Sequence, residues 1–401
     1  MKITMVIPSY WGRVKSEGWK EGDAVYDHPT PLDEEGTLKR AIESINILKD
    51  KDFNLIILAA ATASDIEKEV EEKVNKIVSS VKTDIKIDVF SHSHLNKIHN
   101  FFNNNSMNEF TELLRLRGYS NIRNLCLFLP FLQESDIALL IDDDEIFEDS
   151  DFISKAKEFI GKEYEGDIIH AIAGYYIQED NDFLVKKKMK PYMVYWDKFD
   201  KMNEGFKNII GKEPRIKKTP FVFGGNMVID SHLFKKIPFD PFVTRGEDID
   251  YLMNIKMFGY EFYLDNKLSI KHLPPPKPHP TWRRIREDIY RFMYEREKIR
   301  LQTENKGMNL VKAEDFDPYP GAFLKDDLEE KIIKTNEILA LEYLSEGKQE
   351  DAKESLNNML IKSELLKMGN PFLNYLKIQK KWETMIRIIE DNYQREIINL
   401  I

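Results

Sequence analysis

The sequence predicts an α/β protein: a mostly parallel central sheet flanked by helices, continued by a C-terminal helical extension. Three observations predict it. Short, continuous apolar runs recur through the first part of the chain, each the length of a buried strand. Segments of helical spacing separate them, and strands alternating with helices imply parallel order with helices on both faces. Beyond a proline-dense stretch at 274–280 the spacing is helical almost throughout.

The elements follow in order. Ile3 to Ile7 reads as a buried strand that stops at Pro8. A polar loop, Ser9 to Gly36, carries Trp11, Trp19, Tyr26 and His28, and loops of this length inside a compact domain are commonly functional. Thr37 to Lys49 places Leu38, Ile42, Ile45 and Leu48 on one helical face. Phe53 to Leu58 is a second strand, and Ser64 and Asp65 stand where they would cap a helix running to Val81. Ile85 to Phe90 is a third strand, Tyr119 to Leu132 a helix, and Ile137 to Ile141 a fourth strand. The region from Ser150 to Leu273 is mixed, with strand-like runs at Ile168–Ile177 and Phe221–Ile229. Pro274 to Pro280 reads as a rigid, extended linker. Trp282–Asn305 and Leu328–Ile401 read as helices. The expected organisation is therefore two halves of one sheet domain, residues 1–150 and 151–280, and a helical module, 281–401.

Composition narrows the function classes. A net charge of −10 over 401 residues argues against nucleic acid as a partner. The single cysteine, Cys126, rules out an intrachain disulfide and fits a reducing cytoplasm, the expected location. The N-terminus is apolar for too few residues to be a signal peptide, and no apolar run reaches the ~20 residues of a membrane span.

Five groups of residues carry candidate chemistry. Asp142-Asp143-Asp144-Glu145 directly follows the fourth strand. Carboxylates so crowded persist where a cation or hydrogen-bond donors neutralise them, and Mn²⁺ or Mg²⁺ takes such oxygen ligands together with phosphates. An acidic turn capping the next helix is the competing reading. Arg245-Gly246-Glu247-Asp248-Ile249-Asp250 opens a helix with Tyr251, Leu252, Ile255 and Phe258 on one face. Helix capping explains such carboxylates by itself; a general base for a hydroxyl nucleophile is the functional reading. His272 ends the strand-like Leu268–Lys271 and gains meaning beside the acidic cluster, since imidazole with carboxylate suits Mn²⁺. Gly224-Gly225-Asn226 exposes backbone to close approach. Arg123-Asn124 lies on the helix before the acidic strand.

Taken together, Ile7-Pro8-Ser9-Tyr10, Arg123-Asn124, Asp142-Asp143-Asp144, Gly224-Gly225-Asn226, Gly246-Glu247-Asp248 and His272 resemble, in this order, the GT-A glycosyltransferases, family 2 most closely. The resemblance runs from Met1 to His272. It implies a GT-A fold, with 1–150 the half that binds a nucleotide-diphosphate sugar and 151–280 the half that binds a hydroxyl acceptor. It implies that Pro8 and Tyr10 line a nucleotide-base pocket, with Arg123, Asp142 and Asp143 also on the nucleotide sugar. Asp142 and Asp144 would be the Asp-x-Asp pair, and with His272 would hold Mn²⁺ or Mg²⁺. Gly225 and Asn226 would lie beside the donor sugar or acceptor. Asp248 would be the catalytic base, and Glu247 would orient the acceptor, with inversion at the anomeric carbon.

Three departures refine this. The second strand runs into Leu58-Ala59-Ala60-Ala61-Thr62 with no acidic residue to read a base, the loop after the first strand is unusually long, and Gln-x-x-Arg-Trp of processive synthases is absent, so a single transfer is expected. A sugar-phosphate nucleotidyltransferase and a non-catalytic carbohydrate-binding protein stay as alternatives. The first should carry a glycine-rich basic loop that Ser9-Tyr10-Trp11-Gly12-Arg13 does not match.

In the C-terminal module, Arg283, Arg284, Arg286 and Arg291 could meet a diphosphate or an anionic acceptor. Interleaved Glu287, Asp288 and Glu295 favour a solvated helix face instead. Tyr290, Phe292 and Tyr294 are expected to pack on the core. Ile386, Ile389, Tyr393, Ile397 and Leu400 form an apolar stripe, first for intrachain packing and second for a homodimer seam.

Overall fold

The computed structural model describes residues 1–361 and 369–401. In order, β1 is Ile3–Gly12, β2 Thr30–Pro31, α1 Leu38–Ser44, β3 Asn54–Ala61, α2 Glu67–Ser80, β4 Ile87–Phe90, α3 His92–Asn104, α4 Tyr119–Leu132 and β5 Ile137–Ile141. Then come β6 Glu145–Ile146, α5 Phe152–Glu158, the pair β7 Glu163–Tyr164 and β8 Asp167–Ile168, β9 Ala171–Ile177 and α6 Lys198–Ile209. β10 is Ile216–Lys218, β11 Asn226–Asp230, α7 Ser231–Phe234, α8 Glu247–Met257, β12 Phe262–His272, α9 Thr281–Arg300, α10 Leu328–Ser345 and α11 Gln349–Asn357. The helices Pro371–Asn392 and Gln394–Ile398 follow. Of the helical expectation over Leu328–Ile401, the part at 362–368 lies outside the described residues.

The main sheet has the order β10-β12-β9-β11-β5-β1-β3-β4. β4, β3, β1 and β5 run parallel, as do β9 and β12. β11 runs antiparallel to both β5 and β9, and β10 antiparallel to β12. The fold class is thus the expected one: α/β, with a mostly parallel central sheet between helical layers.

Alternation along the strands explains the continuous apolar runs. Val6, Leu58, Leu140 and Met227 enter one core with α3, α4, α8 and α9. Met5, Ile57, Leu139 and Val228 enter another with α1, α2 and α5. Both faces are covered, so neither can be polar.

Several details differ from the sequence reading. β1 continues past Pro8 to Gly12. Its pairing with β5 ends at Val6 and that with β2 begins at Trp11, so at Pro8 only β3 is alongside, where a residue lacking N–H is tolerated. Asp65 does not cap α2, which begins at Glu67 after a 3₁₀ turn; its carboxylate meets Arg13 instead, Nη1 to Oδ2 at 2.7 Å. α3 was missed, because its Leu95, Ile98 and Phe102 face is surrounded by His and Asn.

The C-terminal helices dock on the sheet domain. Trp382 Nε1 donates to the Phe234 carbonyl at 3.0 Å, and Tyr375 Oη to that of Pro238 at 2.9 Å. Ile386, Ile389 and Ile397 are buried in the chain's own core. Among the described residues no helix is long and apolar enough to cross a membrane.

Candidate active site

Ligands in open α/β sheets bind beyond the carboxyl ends of the parallel strands. There the structure holds a cavity of about 400 Å³, bordered by Tyr10, Arg123, Asp142, Asp143, Asp144, Glu247, Asp248 and His272. A second cavity, about 550 Å³, adjoins it across Tyr119 and is lined by Glu67, His92, Arg115 and Arg117. It holds none of the acidic cluster, so the chemistry belongs to the smaller one.

The acidic cluster turns sharply after β5. The Asp142 N–H donates to Glu145 Oε2 at 3.0 Å, and the Glu145 N–H to the Asp142 carbonyl at 3.3 Å. β6 then pairs with the end of β12, setting Glu145 opposite His272. This brings two motifs far apart in sequence together: His272 Nε2 lies 3.5 Å from Asp144 Oδ2. The His272 ring stacks on Tyr176 at 4.6 Å between centroids, and Tyr176 Oη accepts the Gly225 N–H at 2.8 Å.

Each carboxylate has its own partner. Ser9 Oγ donates to Asp143 Oδ2 at 2.6 Å and is itself held by Trp11 Nε1 at 2.9 Å. Burial, then the Asp144 charge, pushes the Asp143 carboxyl up to about 8. Burial likewise raises Asp142 and Glu145, with neighbouring carboxylates adding to it. Asp144 moves the other way: burial opposes ionisation, but the hydrogen bond and charge of His272, with His28, hold it below the usual range.

Asp142 is tied to Arg123, Nη2 to Oδ1 at 2.8 Å. The same buried guanidinium donates from Nε to Glu247 Oε1 at 3.1 Å. One residue of α4 therefore joins the acidic turn to the first turn of α8. Asp248 stands beside Glu247, its Oδ2 accepting the Gly224 N–H at 3.1 Å. Glycine is required on both approaches. A Cβ on Gly224 would sit 2.7 Å from Arg123 Nη2, and Gly246, at φ 72°, is packed on the Arg291 guanidinium.

The residues singled out from the sequence separate here. Tyr10, Arg123, Asp142, Asp143, Asp144, Glu247, Asp248 and His272 share the cavity. Pro8 is inside β1, paired in register with Leu58, and does not line it. Asn226 is fully buried, its Nδ2 donating to the Leu268 carbonyl at 3.1 Å, so it braces strands. Gly225 packs on Glu145, and the glycine that lines the cavity is Gly224. The expected ligand set of Asp142, Asp144 and His272 is not assembled as a triple: among the described residues no three His, Cys, Asp or Glu side chains are placed to hold a metal ion. Arg123 claims Asp142, which leaves Asp144 with His272.

Sequence reasoning found the other end of the cavity only in part, in Arg284, Arg291 and His28, and missed Asp27 and Lys198. Asp27, from the long first loop, pairs with Arg245, Nε to Oδ1 at 3.0 Å, and with Lys277. Arg245 Nη1 also meets Asp288 Oδ1 at 2.9 Å, and Lys198 Nζ meets Asp288 Oδ2 at 2.7 Å. His28 enters beside Asp144, and burial, then Lys277, lowers its imidazole to about 4. The aromatic content of the loop was one signal for this end, and the arginines of α9 were the other. The solvated-face reading of α9 is corrected: Arg284, Asp288 and Arg291 line the cavity, because this face of α9 packs over the start of α8. Phe292 and Tyr294 are buried as expected.

No protein-family profile matches the chain, and no curated protein matches it. Among solved structures it is similar to the mannosyltransferase PcManGT from Pyrobaculum calidifontis in complex with GDP-Man and Mn²⁺, at 14% identity and TM-score 0.47, over 96% of this chain and 86% of that one. It is similar to a mycobacterial protein at 16% identity and TM-score 0.37, over 72% and 74%. It is also similar to GalNAc-T7 with UDP, GalNAc and Mn²⁺, at 13% identity and TM-score 0.36, over 74% and 50%.

Proposed function

We propose that this chain is a GT-A-type glycosyltransferase, of the family 2 kind, that moves one sugar from a nucleotide diphosphate to an acceptor hydroxyl. The observation that carries the reading is the Arg123 bridge. It locks Asp142 of the acidic turn and Glu247 of the α8 turn into one cavity, at 2.8 and 3.1 Å. A surface acidic turn and a helix cap, the bland readings, have no reason to share a buried cation.

Tyr10, Tyr26 and Tyr119 form an aromatic wall, with centroids 4.6 to 5.2 Å apart, suited to a nucleotide base. Asp144 and His272 are the residues that would hold a divalent cation, together with oxygens of a bound phosphate, since hard divalent cations are often held by few protein ligands plus substrate phosphates. Bound there, Mn²⁺ or Mg²⁺ would neutralise charge on the departing diphosphate. Asp142 is neutralised by Arg123 and holds the turn in place.

Asp248 takes the base role because Glu247 is committed to Arg123. Each Asp248 oxygen is oriented by a backbone N–H, Oδ2 by Gly224 at 3.1 Å and Oδ1 by Ile249 at 2.9 Å, and the carboxylate accepts the acceptor hydroxyl's proton. The new bond forms from the acceptor's hydroxyl oxygen to the anomeric carbon as the bond to the diphosphate breaks. Attack opposite the leaving group inverts the anomeric centre. The nucleotidyltransferase alternative loses support, because Ser9 to Gly12 lie in β1, not in a triphosphate-gripping loop.

The test is release of nucleoside diphosphate from a panel of UDP- and GDP-sugars, with Mn²⁺ and with chelator. Water serves as the poor acceptor of last resort. Metal-dependent release from one donor supports the reading. No release from any of them with metal present counts against it.

A further inference from the structure

We propose that the acceptor is an anionic amphiphile, held with its charged group at Arg284, Lys198 and Arg291 and its apolar body against the Trp196, Phe199 and Phe223 face of the same cavity. This deepens the transferase reading and rests on it for the word acceptor.

Charge in the cavity is segregated. One end carries Asp142, Asp143, Asp144, Glu247 and Asp248 around a single guanidinium, Arg123. The other carries Lys187, Lys198, Arg245, Lys277, Arg284 and Arg291 against two carboxylates, Asp27 and Asp288. Those two are already shared: Asp27 by Arg245 and Lys277, Asp288 by Lys198 and Arg245. Arg284 donates Nη2 to Thr281 Oγ1 at 3.2 Å, and its buried Nε has no acceptor. Arg291 is almost fully buried; it donates Nη2 to Tyr319 Oη at 2.7 Å, and its Nε lies 3.8 Å from Glu295 Oε1, an ion pair longer than a hydrogen bond. A buried cationic donor without an acceptor, as at Arg284, is costly, and an anion is the group that satisfies it.

The wall beside these cations is apolar. Met193, Trp196, Phe199, Phe206, Phe221 and Phe223 line it. Phe206 packs on Phe221 at 4.9 Å and on Phe223 at 5.1 Å between centroids. Phe223 packs on Tyr176 at 4.7 Å, so this wall reaches the ring that stacks on His272. Trp196 is buried, and its indole N–H has no acceptor among the described residues. The segment that supplies Lys187 and Tyr192 to the lining also carries exposed Met189 and Val194 (60% and 68%). Lys190 ties that segment through Glu342 to α10, where Leu341 and Leu344 are also exposed. A sugar alone would not ask for this much apolar surface, and an apolar compound alone would not ask for the cations.

The test uses the full chain and calorimetric titration with dodecyl phosphate below its critical micelle concentration. Inorganic phosphate and dodecyl maltoside serve as head-only and tail-only controls. Dodecyl phosphate should bind roughly tenfold or more tightly than either, and Arg284→Gln should weaken it by roughly tenfold, the loss of one charge-assisted hydrogen bond. Phe199→Ala, at a half-buried position, should weaken it too, and serves where the first variant is poorly folded. Neither variant should change GDP or UDP binding with Mn²⁺. Equal binding of inorganic phosphate or of dodecyl maltoside overturns the proposal, as does indifference to both variants. Absence of nucleoside diphosphate binding in the unaltered chain would strike the transferase reading instead. Sedimentation with phosphatidic acid in phosphatidylcholine vesicles would place the amphiphile in a bilayer; binding of monomers alone would make it soluble.

Discussion

The two ends of the cavity are built by opposite means. The acidic end comes mostly from one contiguous turn after β5, closed by His272 at the end of the strand beside it. The cationic end is collected from α6, the segment before α8, the proline-dense stretch and α9, around Asp27 of the first loop; each gives one cation except α9, which gives Arg284 and Arg291. Contiguous carboxylates announce a cost that something must offset. A single Lys or Arg per segment announces nothing, because a solvated side chain is its ordinary state. That difference decides what each end depends on, and four substitutions probe it.

The largest effect is expected at Asp248→Asn. Removing the base should lower kcat by roughly 10²–10⁴ while nucleoside diphosphate binding persists; steady-state rates with calorimetry check this, and an unchanged kcat would move the base elsewhere. Next is Arg123→Met, which leaves Asp142 and Glu247 without their shared cation. It should cost about 3–5 kcal/mol of stability by chemical denaturation. A cost near zero would mean the two motifs are not held by this bridge. Asp27→Asn, at the other end, should cost about 2 kcal/mol, since Arg245 and Lys277 lose a charged acceptor but Arg245 keeps Asp288.

The smallest effect is in pH dependence. Burial, with Arg245 and Arg291 nearby, lowers Lys198 to about 7 despite Asp288, whose own carboxyl is held at about 2. Unfolded, the lysine keeps its proton to about 10.5. Between these values the unfolded state binds more protons, so the lysine's contribution to stability rises with pH across that window. The thermal midpoint of the unaltered chain should therefore gain on that of Lys198→Met from pH about 7 to 10.5. A gap that stays constant would show that Lys198 remains charged beside Asp288.

Much of the fold could be read from the sequence because apolar runs and their spacing report burial directly. β5 and α4 fall where the sequence places them. Pro8 misled, since a proline is tolerated where one neighbour strand has ended, and pairing is not visible in a single strand's sequence. Asp65 misled because Arg13 outcompeted the helix for its carboxylate. At the site, the acidic turn, Glu247, Asp248 and His272 were legible as motifs. Of Gly224-Gly225-Asn226 only Gly224 borders the cavity, because Glu145 packs behind Gly225 and Asn226 is turned into the sheet. Asp27 and Lys198 were not legible, because their meaning lies in partners brought from elsewhere in the chain.

The most direct measurement is a calorimetric titration of UDP and GDP, with and without Mn²⁺, into the unaltered chain and Asp144→Ala. The account predicts binding of one nucleoside diphosphate that requires Mn²⁺ and is lost in the variant. Binding that ignores both the metal and Asp144, or no binding of either nucleotide, would contradict it.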